Sequence, residues 1–156
     1  MTEPLIKAAL AESAQEVLEK MFFVDSAESA PGEAPIAGVT AEMIFDGDPP
    51  GSFRLVLDQT AARSAAADFL GEDPAELSEE QMNEVVCELA NMICGSVLSR
   101  IESRATFRLS KPAIVRNIER TRAAGAGFQA VVGGGLLLAE IRMEKTVCPG
   151  TSEYAS

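Results

Sequence analysis

A long amphipathic helix is the element that this sequence dictates most firmly. Advancing about 100° per residue, as 3.6 residues per turn requires, Val85, Val86, Leu89, Ile93 and Val97 all fall within about 60° of Met82, with Met92 about 80° away. Such a helix is built to be buried along one side. On the opposite side, at roughly 180–240°, Glu84, Glu88, Asn91 and Gly95 form one polar ridge with spacings of four, three and four residues. Asn is a poor helix former because its side chain competes for backbone groups. A mid-helix Gly costs about 1 kcal/mol relative to Ala, which marks Gly95 as a place where another backbone or molecule comes close. Helix physics alone leaves two accounts open: the ridge is the wet face any surface helix needs, or it carries a site.

The rest of the chain organises around this helix. Residues 4–23 predict a first helix, with Pro4 in its first turn and Ile6, Leu10, Ala14, Val17, Leu18 and Met21 as its stripe. Residues 25–35 are loop-forming. Residues 36–46 and 52–58 read as strands joined by Gly47-Asp48-Pro49-Pro50-Gly51, and residues 60–70 as a short Ala-rich helix stopped at Gly71. After a connector at 72–77, Ser78-x-x-Gln81 supplies a capping box for the long helix, which runs to about Glu102. Two short extended pieces follow, pinched around Pro112, whose role is to end or bend a strand. A loop at 121–127 precedes a hairpin of 128–133 and 136–145, turned by Gly133-Gly134-Gly135, which lacks the Lys-Ser/Thr of a phosphate loop. An apolar strand such as Gly135–Ile141 would leave an attractive edge if unpaired. The fold class is therefore α+β, and the repeated order of helix then strands suggests an internal duplication of one helix-plus-sheet unit.

Composition narrows the functions. The 156 residues suit one domain, with a core over about 4–146 and a tail at 147–156. The chain is 47% hydrophobic but only 5% aromatic, without Trp, so the core is aliphatic. A net charge of −11 argues against nucleic acid and anionic membrane surfaces as partners. No apolar run reaches the roughly 18 residues of a membrane span, and no signal peptide precedes the first helix. Cys87 and Cys94 stand seven residues apart on one helix, too far to bridge, and Cys148 is alone near the tail, a usage that suits a reducing cytoplasm. The absence of His removes His-dependent triads and zinc sites, and three scattered cysteines make no metal centre. Arg116, Arg120 and Arg122 form the one small basic cluster, read as a solvated loop or as a contact for an acidic partner surface.

The segment Glu88-Leu89-Ala90-Asn91-Met92-Ile93-Cys94-Gly95, followed by Lys111-Pro112-Ala113-Ile114-Val115, resembles the CheC/CheX family of chemotaxis phosphatases, closest to its CheX branch. That family's pattern is Asp or Ser, three residues, Glu, two residues, Asn, then Pro about twenty-two residues on. Glu88 and Asn91 match directly, Pro112 with slightly short spacing, and Glu84 departs by lengthening the acid. The resemblance extends more loosely over most of residues 5–145. It implies a CheC-like fold with two long helices packed on an antiparallel-rich sheet in pseudo-twofold arrangement. It also implies hydrolysis of the aspartyl-phosphate of a CheY-like response regulator, with Asn91 orienting the water and Glu88 docking on the regulator's lysine. The chain would need no cofactor of its own, since Mg²⁺ belongs to the regulator, and would form a homodimer through strand pairing. Some relatives carry two Glu-x-x-Asn motifs. Here Glu16-Val17-Leu18-Glu19 lacks the Asn, which predicts one site per chain. The ridge adds Glu84 and Gly95 as partner contacts. Two other readings compete: a non-catalytic module that binds a regulator or flagellar switch component, and a sensor domain whose sheet holds a small acidic or apolar ligand.

Overall fold

The computed structural model describes residues 3–20, 26–28, 38–47, 50–101, 108–115 and 126–143. Three helices, α1 (Glu3–Lys20), α2 (Gln59–Leu70) and α3 (Glu79–Ile101), pack on one antiparallel sheet. Its strands are β1 (Ser26–Glu28), β2 (Gly38–Asp46), β3 (Gly51–Asp58), β4 (Arg108–Leu109), β5 (Ala113–Ile114), β6 (Ala126–Val132) and β7 (Gly135–Met143). They lie in the order β1-β6-β7-β3-β2-β4, with β5 also on β2.

Period-two alternation decides which face meets the helices. Val39, Ala41, Met43 and Phe45 of β2 are buried, as are Phe53, Leu55 and Leu57 of β3. Phe128, Ala130 and Val132 of β6 and Leu137, Ala139 and Ile141 of β7 complete this face. On the reverse face the register sets Arg54 between Glu42 and Glu140, and Arg54 Nε donates to Glu42 at 2.8 Å. The core is aliphatic, as composition requires, with Phe45, Phe53 and Phe128 its buried aromatic members among the described residues.

Several local expectations hold. Ser78 Oγ accepts from the Gln81 N–H at 3.1 Å and Gln81 Oε1 accepts from the Ser78 N–H at 2.8 Å, so the capping box is formed. Gly133 and Gly134 take φ of 57° and 85°, the paired positive angles of a two-residue hairpin turn. Gly71 closes α2 in the left-handed region.

Three expectations change. Residues 26–28 form a strand that pairs with Val132, Val131 and Ala130, because a three-residue edge strand needs no alternation of its own. β6 begins at Ala126, inside the expected loop. The segment Gly135–Ile141 has no free edge, since β7 lies between β6 and β3. The cluster of Arg116, Arg120 and Arg122 and the tail with Cys148 lie outside the described residues.

The duplication is visible in the topology. Each half runs long helix, short edge strand, then a hairpin, and each half's edge strand pairs with the other half's hairpin: β1 on β6, β4 and β5 on β2. The helices cross over likewise, α1 packing on β6 and α3 on β2. Their packing coincides residue by residue at an offset of 76. Ala9, Leu10, Ser13, Ala14, Val17 and Leu18 are buried where Val85, Val86, Leu89, Ala90, Ile93 and Cys94 are buried.

Candidate functional site

The ridge of α3 faces outward. Glu84, Glu88 and Asn91 are exposed, while Val85, Val86, Leu89, Ala90, Ile93 and Cys94 between them are buried against the sheet and the other helices. This side of the helix forms one wall of an open groove of about 710 Å³. Glu80, Asn83, Glu84, Cys87, Glu88 and Asn91 line that wall. The facing wall is the edge segment Leu109, Ser110, Lys111, Pro112 and Ile114.

The far wall owes its shape to an irregular edge. β4 pairs Leu109 with Phe45, and β5 pairs Ile114 with Ala41, so the register against β2 slips by one residue between them. Ser110 spans the slip: its N–H donates to the Ile44 carbonyl at 2.9 Å, and its Oγ accepts from the Ile44 N–H at 3.0 Å. Pro112 has no N–H to pair and falls where the ladder is already broken. Past it, Val115 N–H donates to Thr40 O at 2.9 Å and the ladder resumes. Pro112 therefore shapes the wall, the structural role its sequence position suggested, and also lines the groove.

The groove's charges are left over. Among the described residues Glu80, Glu84, Glu88 and Lys111 form no ion pair. Like charges four residues apart on a helix destabilise it by about 0.2–0.5 kcal/mol per pair, so the Glu80–Glu84–Glu88 ladder costs α3 some of what Glu80 contributes in its first turn. Half-burial raises the pKa of Cys87 in the groove wall, and deeper burial pushes the Cys94 thiol up to about 12, so both stay protonated near neutral pH. Both thiols are free. Among the described residues no group of three or more His, Cys, Asp or Glu side chains is placed to hold a metal ion.

Of the four residues singled out on the ridge, Glu84, Glu88 and Asn91 meet in the groove and Gly95 does not line it. Nothing lies within 4 Å of where a Gly95 Cβ would stand, so no part of the described chain requires glycine there. Glu80 carried a legible signal, one turn before Glu84 on the same ridge. Lys111 was legible only as the neighbour of Pro112 and Ser110 carried no signal, because their place opposite α3 depends on pairing with β2.

The sequence from residue 39 to 132 matches the family described as "Chemotaxis phosphatase CheX", more than half of the chain, and the protein belongs to that family. Solved structures share the fold. Chemotaxis protein CheX from Desulfovibrio desulfuricans is 18% identical with a TM-score of 0.71, covering 89% of this chain and 99% of its own. CheX from Vibrio vulnificus is 19% identical with a TM-score of 0.71, covering 92% and 99%. The CheX–CheY–BeF3–Mg²⁺ complex from Borrelia burgdorferi matches at 21% identity and a TM-score of 0.69, covering 88% and 97%. A search among curated proteins returns no match. Among the described residues no helix is long and apolar enough to cross a membrane.

Proposed function

We propose that this protein hydrolyses the aspartyl-phosphate of a CheY-like response regulator, with Asn91 as the catalytic side chain and Glu88 as its docking partner. The observation that carries the reading is the outward projection of Glu88 and Asn91, three residues apart, from an otherwise buried helix into an open groove. Neither group is a strong nucleophile. A carboxamide offers one donor pair and one acceptor in fixed geometry, which suits holding a water in line with phosphorus. The regulator supplies the rest: its own Mg²⁺ polarises the phosphoryl group, and its lysine pairs with Glu88. Water attacks phosphorus, the aspartate carboxylate leaves, and inorganic phosphate is released. The Borrelia complex of a CheX with CheY, BeF3 and Mg²⁺ supports a CheY-like regulator as the partner.

On this reading Glu84 contributes a further partner contact from within the groove. Gly95, one turn past Asn91, leaves room for the partner's backbone. The protein acts in the cytoplasm and as a homodimer joined through an edge strand.

The reading is tested by following the decay of a CheY-type regulator phosphorylated with acetyl phosphate in Mg²⁺. Adding the protein shortens the phosphate lifetime. An unchanged lifetime despite measurable binding would leave a regulator-binding module in place of a phosphatase.

A further inference from the structure

We infer that Lys111 is a second recognition residue, one that pairs with a carboxylate on the partner's surface beside the phosphorylated pocket. The inference rests on the phosphatase reading for the partner's identity and goes beyond it in placing a contact on the opposite wall of the groove.

Three observations carry it. Lys111 is exposed and lines the same groove as Glu88 and Asn91, yet from the sheet edge instead of the helix. It forms no ion pair among the described residues, although Glu80, Glu84 and Glu88 line the facing wall. A flexible ammonium on a four-carbon stem would close onto a carboxylate within reach, so the groove keeps the two walls' charges apart and available. Finally, the backbone beneath Lys111 is fixed on both sides. Ser110 bonds Ile44 twice, Ser110 Oγ lies 3.4 Å from the Lys111 carbonyl, and the Pro112 ring locks the following residue. An irregular strand edge of this kind re-aims a side chain away from the ladder. The result is a flexible cation on a fixed stretch of backbone, in a groove whose other wall carries an acidic ladder.

The partner that fits has opposite polarity on its two flanks: basic groups toward Glu84 and Glu88, and an acidic group toward Lys111. Such an arrangement fixes the docking register and rejects regulators whose corresponding residue is basic. Lys111 acts on binding and not on the reacting phosphoryl group, which lies against Asn91 on the other wall.

The test uses the full chain and two readouts. The first is the dissociation constant for a CheY-type regulator loaded with beryllofluoride and Mg²⁺. The second is the kcat and KM for the same regulator carrying phosphate. Lys111→Glu raises Kd and KM about tenfold and leaves kcat within about twofold, Lys111→Arg restores wild-type values, and Lys111→Ala flattens the salt dependence of binding. Unchanged Kd and KM in Lys111→Glu would overturn the inference. So would a fall in kcat at constant KM, which would put the ammonium on the phosphoryl group instead. If the wild-type protein binds the loaded regulator but hydrolyses nothing, the phosphatase reading fails and Lys111 is still judged on Kd. If it does not bind, both fall.

Discussion

Asn91 and Cys94 occupy the same helix, one turn apart, and show how position on the wheel separates function from stability. Asn91 is exposed and adds nothing to the core. Cys94 is fully buried and behaves as a small apolar side chain. Glu88, on the same ridge as Asn91, is argued to bind and not to react. Glu88→Ala should therefore raise the KM for phosphorylated regulator about tenfold with little change in kcat, measured by steady-state phosphate release. Cys94 gives a pH signature of folding. Its folded pKa is raised, so above about pH 9 the unfolded chain loses a thiol proton that the folded chain retains, and stability falls as pH rises. Urea unfolding at pH 8 and pH 10.5 should show a loss that shrinks in Cys94→Ala, compared with that variant's own value at pH 8. At this scale much was legible, because a helix wheel needs only local sequence. It correctly set Glu84, Glu88 and Asn91 outward and the aliphatic stripe inward. Gly95 shows the limit: a wheel gives its direction but not what stands over it.

At the scale of elements, two small devices hold the frame that aims α3. Asp58 ends β3 and starts α2. Its Oδ1 accepts from the Ala61 N–H at 2.8 Å as an N-cap, and its Oδ2 accepts from the Leu136 N–H at 2.9 Å at the start of β7. Asp58→Ala removes both acceptors and should cost about 1–3 kcal/mol in chemical denaturation. Arg100, in the last turn of α3, reaches Glu16 at 2.9 Å and Glu12 at 3.7 Å on α1. The pull of Lys20 and then Arg100 lowers the Glu16 pKa, so this tie is present at neutral pH and fades as pH falls through that lowered value. The groove's far wall is set by pairing that local sequence does not encode. Arg108–Leu109 and Ala113–Ile114 are too brief to alternate, and their partner β2 lies more than sixty residues earlier. The pinch around Pro112 was legible as local backbone chemistry, whereas its position opposite Asn91 depends on long-range pairing. The strand Ser26–Glu28 likewise depends on long-range pairing, with β6.

The whole molecule is a duplicated unit in which, among the described residues, α3 and not α1 carries the Glu-x-x-Asn pair. The packing register places Glu12 and Gln15 of α1 where α3 has Glu88 and Asn91, one turn earlier than the Glu16–Glu19 comparison made from sequence. The α1 copy differs where it matters: Gln replaces Asn, Glu19 stands in the place of Gly95, and Arg100 already engages Glu12. The expectation of one site per chain predicts that Gln15→Ala leaves turnover within about twofold of wild type, an outcome steady-state kinetics checks directly. The element order that hinted at duplication was legible in the sequence, while the crossed pairing of each half's edge strand with the other half's hairpin was not. The measurement that bears most directly on the central claim is single-turnover dephosphorylation at saturating protein, comparing wild type with Asn91→Ala, alongside their affinity for the beryllofluoride-loaded regulator. Loss of one positioned polar group predicts a rate lower by about 10²–10³-fold with affinity nearly retained. A variant that binds equally well and removes phosphate at the wild-type rate would contradict the account.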